Sequence, residues 1–154
     1  MNQRGITLIE MLVVVGILAA AAALTLPAVN SGVDSLRLKA ASDGIVSTLN
    51  VAVTRADRRH ELVEIAVSRE QRAIVIRGQD AAEVRRFALP EGVSVTNTYP
   101  EPLREEETER SFVLYPGGSY PRIGVEIENR RGARRLVSVD PITGVPRVSE
   151  PERQ

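Results

Sequence analysis

Hydrophobic positions divide the chain into three stretches with different periods. Across residues 6–26, 21 positions are almost uninterruptedly apolar; Glu10 is the single charge, and Thr7, Gly16 and Thr25 are the other non-apolar members. At about 1.5 Å per helical residue the run spans roughly 31 Å, close to the hydrocarbon thickness of a bilayer. From Val33 the period becomes three to four. Val33, Leu36, Ala40, Ile45, Leu49, Ala52 and Ala56 form the stripe of an amphipathic helix that reaches about Arg59. Pro27 and Asn30-Ser31-Gly32 lie near the join. The spacing therefore predicts one long helical rod, kinked or loosened near Pro27, with Gly44 the weakest point of its second half.

Beyond Arg59 the period drops to two. Strands are predicted over 62–67, 73–77, 84–89, 93–97, 111–115, 123–128, 136–140 and 145–148, separated by turn chemistry such as Pro90-Glu91-Gly92, Pro116-Gly117-Gly118 and Thr143-Gly144. Strands about ten residues apart with hairpin breaks make an antiparallel sheet domain, in two packed layers. Residues 100–110 read as an acidic loop and 149–154 as a disordered tail. The fold class is α+β. Its parts are a leader over 1–5, an apolar helix over 6–29, an amphipathic continuation over 30–60, and a β domain over 61–148.

Composition narrows the chemistry. Twenty basic and twenty acidic side chains give a net charge of zero, which excludes a generally basic nucleic-acid binder. With no cysteine and one histidine, thiol catalysis, Cys-based zinc sites and multi-histidine metal sites are all excluded. His60 reads as a solvated residue between rod and sheet. Glu105, Glu106, Glu107 and Glu109 read as a solvated loop. The segment at Asp140 has too few oxygen ligands for calcium and reads as a hairpin turn. No cofactor or metal is expected, and no nucleophile–base–acid set is visible. Arg130, Arg131, Arg134 and Arg135 cluster around a predicted hairpin. They fit either contacts to phosphates or a solvated rim with salt bridges to Glu126 and Glu128.

Glu10 is the residue that decides among membrane readings. A charged side chain at the centre of a spanning helix costs about 2.5–3.5 kcal/mol on insertion scales. A conventional signal peptide or a plain anchor has no use for that penalty, and a buried core helix is rarely apolar all round for so long. The segment Arg4-Gly5-Ile6-Thr7-Leu8-Ile9-Glu10-Met11-Leu12-Val13 resembles the type IV prepilin (class III) signal of pilins and pseudopilins. The resemblance implies that a prepilin peptidase cuts between Gly5 and Ile6. Ile6, at a position where the family most often has Phe, then becomes a methylated N-terminus. It also implies that Glu10 meets the new amine of a neighbouring subunit and so sets axial register. Arg4 and the initiator amine keep the N-terminus cytoplasmic, so that everything after Pro27 is exported.

A second resemblance lies in the strands. Phe87-Ala88-Leu89-Pro90-Glu91-Gly92-Val93, Phe112-Val113-Leu114-Tyr115-Pro116-Gly117-Gly118-Ser119, Leu136-Val137-Ser138-Val139-Asp140 and Thr143-Gly144-Val145 look like the GspH/FimT-type pilin domain. That family comprises H-type minor pseudopilins of type II secretion and fimbrial T minor pilins. The resemblance implies a non-enzymatic minor pseudopilin in the inner membrane. It would be single-pass with a periplasmic C-terminal domain, built into a pseudopilus near its tip. Its partners would be the peptidase, major and minor pseudopilins and secreted proteins. The alternative is a type IV pilus minor pilin acting in pilus assembly or DNA uptake, with nucleic acid a partner only there. A membrane-anchored β module unrelated to filaments is a third reading, in which residues 1–5 are retained.

Overall fold

A computed structural model describes residues 7–80, 82–101, 108–118 and 120–150, the side chains of residues 24–30 excepted. The leader and Ile6 lie outside the described residues, as do most of the acidic loop and the end of the tail. One helix, α1 (Leu8–Arg59), precedes eight strands: β1 (Val63–Ser68), β2 (Ala73–Arg77), β3 (Glu83–Ala88), β4 (Val93–Tyr99), β5 (Glu109–Leu114), β6 (Gly124–Asn129), β7 (Arg134–Val139) and β8 (Pro146–Ser149). Each predicted strand is present, shifted by at most about two residues at either end. The helix passes through Pro27 and Gly32, so neither ends it. What ends it is His60, in the left-handed region at φ 52°, directly after Arg58 and Arg59 place two cations on the negative end of the helix dipole.

Two compact units divide the chain, Met1–Val33 and Asp34–Gln154. In the first, the described part is helix whose large apolar side chains are exposed all round. The second holds both sheets. One has the order β3-β2-β1-β5 and the other β4-β6-β7-β8, every pairing antiparallel. The two-layer α+β prediction holds.

The core of the second unit is one cluster. The helix contributes Leu38, Ala41, Ile45, Leu49, Ala52 and Ala56. The first sheet gives Val63, Ile65, Val67, Ile74, Ile76 and Leu114, and the second gives Val93, Val125, Ile127, Val137 and Val139. The predicted helix face is correct from Ile45 onward and wrong before it. Leu36 and Ala40 are exposed, and Leu38 and Ala41 take their places in the core. Leu36 is nine residues from Ile45, about two and a half turns, and so points to the opposite side of the helix.

Candidate functional site

The first turns of α1 form the candidate assembly element. Thr7 precedes the first helical residue, and its Oγ1 accepts a hydrogen bond from the backbone N–H of Glu10 at 3.3 Å. Thr7-Leu8-Ile9-Glu10 thus has the spacing of a capping box, which satisfies one of the N–H groups a helix start leaves open. The carboxylate of Glu10 lies in the first turn, at the positive end of the helix dipole. Around it Leu8, Ile9, Met11, Leu12, Val13, Val14, Val15, Ile17 and Leu18 are between 46% and 82% exposed. Thr-x-x-Glu before an apolar run is the usual sequence signature of such a cap.

Among the described residues no helix is long and apolar enough to cross a membrane.

The arginine cluster surrounds the β6–β7 turn, but its members have separate surroundings. Arg134 donates from Nε to Glu128 at 2.7 Å and from Nη1 to Glu126 at 3.4 Å, joining neighbours on the outer face of the second sheet. Arg130 donates to Glu91 at 2.6 Å. Arg131 donates from Nε to Asp34 of the helix at 3.3 Å. Arg135 stands opposite Ile127 in the ladder, on the other face of β7 from Arg134. The turn is built by Asn129, whose Oδ1 accepts the backbone N–H of Arg131 and of Ala133, both at 3.0 Å, while Gly132 supplies φ 79°. Glu126 is the most buried of these acids, at 5% exposure, and also accepts from the hydroxyl of Tyr99 at 3.2 Å. Burial, and then the nearby Glu126 charge, push the Tyr99 hydroxyl above the ordinary tyrosine range.

The remaining sequence candidates have structural surroundings. His60 is exposed past the helix end. Asp140 spends Oδ1 on the backbone N–H groups of Ile142 and Thr143, each at 2.9 Å, and these bonds hold its carboxyl below the usual carboxylate range. No group of three or more metal-ligating side chains exists among the described residues. Arg72, not singled out in the sequence, is a clasp. Its guanidinium donates to the carbonyls of Pro90 at 2.7 Å and Val93 at 3.0 Å, tying the β1–β2 turn to the start of β4.

Residues 1–26 match the family model of the prokaryotic N-terminal methylation motif. No curated protein and no solved structure matches the chain. The chain therefore carries, over residues 1–26, the signal of type IV pilin-like prepilins, a structural and non-enzymatic family, ahead of an α+β body of pilin-like architecture.

Proposed function

We propose that the chain is an H-like minor pseudopilin of a type II protein secretion system, a structural subunit at or near the tip of a periplasmic pseudopilus. The observation that carries this reading is the start of α1. Nine large apolar side chains stand open around a helix with one carboxylate in its first turn, behind a methylation motif. Covering the exposed part of nine such side chains is worth on the order of 10–15 kcal/mol. They belong in lipid before assembly and among neighbouring helices after it.

Each step has a residue. Prepilin peptidase cuts the Gly5–Ile6 bond, and the amine of Ile6 is methylated. Glu10 of one subunit receives the amine of the next, which sets axial register, because a misplaced subunit leaves both charges unpaired in a water-poor bundle. The chain is anchored once in the inner membrane, with its N-terminus cytoplasmic and its β domain periplasmic. That domain offers surfaces to other pseudopilins and to secreted proteins, with no cofactor.

The competing reading is a type IV pilus minor pilin that binds DNA through Arg130, Arg131, Arg134 and Arg135. Carboxylates meet Arg130, Arg131 and Arg134, which supports the secretion reading. The deciding experiment replaces Glu10 by Ala in the native host. The variant should be cut at Gly5 and fold normally, yet be missing from sheared filaments; normal incorporation refutes the register role. A DNA mobility-shift assay separates the two filament readings, since binding abolished by neutralising the four arginines favours the pilus.

A further inference from the structure

One stripe of α1 in the second unit is neither core nor plain solvated surface. Asp43, Ser47, Asn50 and Thr54 alternate with Val46 and Val51 along it, and it faces Val84 of β3 across an open groove of about 630 Å3. The side chains of the stripe are small or apolar along the middle, where Ser47 accepts a hydrogen bond at 3.3 Å from Arg85, an exposed residue of β3. Arg55, Arg58 and Arg59 gather at one end, and Asp43 stands at the other. Arg55 is neutralised by Glu61. Arg58 and Arg59 are exposed and meet no carboxylate among the described residues.

The other wall is a sheet edge. β3 pairs with β2 on one side and ends its sheet on the other, so its outward N–H and C=O groups have no strand partner among the described residues. From Asp43 to Arg59 the helix rises roughly 24 Å, which is about seven residues of extended chain.

We propose that this groove binds an extended peptide segment of a partner protein, laid beside β3, apolar along its middle and acidic at the end that meets Arg58 and Arg59. The backbone edge supplies length-wise hydrogen bonds, Val46, Val51 and Val84 supply the apolar floor, and the exposed guanidiniums of Arg58 and Arg59 choose charge and direction. The inference needs neither membrane nor filament, so it stands or falls separately from the assembly role of Glu10.

The test uses the full chain in detergent micelles and a fluorescein-labelled decapeptide of alternating Val and Thr ending in Asp-Glu-Glu. A second peptide ends in Lys-Lys-Lys, and a decathymidylate serves as a polyanion without a peptide backbone. Anisotropy should report binding of the acidic peptide alone, weakened roughly tenfold by the double substitution R58E/R59E. Both arginines lie on the surface; because two glutamates would also oppose the negative end of the helix dipole, R58Q/R59Q is measured beside it and should weaken binding in the same direction. Val84→Asp should abolish binding from the other wall. Hydrogen exchange should slow at the amides of β3 when the acidic peptide is present. Four outcomes overturn the proposal: equal binding of both peptides, equal binding of the oligonucleotide, no protection at β3, or no binding at millimolar peptide. Self-association of the chain through this groove, displacing the peptide, overturns it as well.

Discussion

Gly44 of the helix faces the ring of Phe87 on β3 so closely that a Cβ at position 44 would stand 2.1 Å from Cζ and 2.3 Å from Cε2. Glycine inside a helix is disfavoured by about 1 kcal/mol relative to alanine. Here that weakness is what allows the helix and the edge strand to touch. Gly44→Ala should destabilise the β domain by about 1–2 kcal/mol in denaturant melts despite its better helix propensity. Pairing it with Phe87→Leu should recover part of the loss, and a more stable single variant would contradict the contact.

Tyr120 closes another junction. Its hydroxyl donates to Oδ2 of Asp57 at 2.6 Å, and Gly144 passes under its ring with φ 69°, where a Cβ would come within 2.6 Å. The bond to Asp57, then burial, raise the Tyr120 hydroxyl above the ordinary tyrosine value of 10.0. A raised folded value means the contribution is complete below the unfolded value and is lost as pH climbs through the folded one. Stability should therefore drop on the alkaline side. Tyr120→Phe should remove part of that drop, Tyr99 retaining the rest, and lower stability near neutrality by about 1 kcal/mol. Thermal melts across alkaline pH check both.

Asp140 acts at the opposite end of the pH scale. Its carboxyl is held below the ordinary value by the N–H groups of Thr143 and Ile142, so its contribution is present above that value and fades as acid protonates the folded turn. Asp140→Asn should flatten the acid limb of the melting curve without altering the alkaline limb. An unchanged acid limb would mean that the turn does not depend on the charge.

At the β6–β7 turn the buried amide should matter more than the exposed charge. Asn129 is 5% exposed and accepts two backbone N–H groups, whereas Arg131 reaches Asp34 with its side chain 48% exposed. Asn129→Ala should cost about 2–3 kcal/mol by stranding both donors. Arg131→Ala should cost under about 1 kcal/mol. Chemical denaturation of the two variants side by side would expose an inverted order.

Much of this was readable from residue order, for reasons that differ by element. The strands were visible because alternation is local and each is bounded by turn residues. The division into two sheets was not: β5 leaves its sequence neighbour β4 and pairs with β1, and no local pattern encodes so distant a partner. The helix face slipped because Leu36 and Ala40 satisfy a loose three-to-four spacing yet fall out of phase with Ile45. Glu10 stood out as the lone charge in an apolar run, while Thr7, which caps the same turn, looked like an incidental polar residue. The arginines were legible as a cluster. Their distribution over both faces of β7, and over partners as distant as Asp34 and Glu91, depends on register and tertiary contact.

The cap at Thr7 has a consequence for the proposed processing between Gly5 and Ile6. A chain that begins at Ile6 keeps a single residue ahead of the cap, so its α-amine is tethered within one peptide unit of the helix mouth. A cut one bond later would make Thr7 itself the terminus and move the cation onto the capping residue. A cut one bond earlier would leave the cation on a loose two-residue lever. If the proposed cut is made, the choice of bond and the threonine hydroxyl together act as a ruler for the charge.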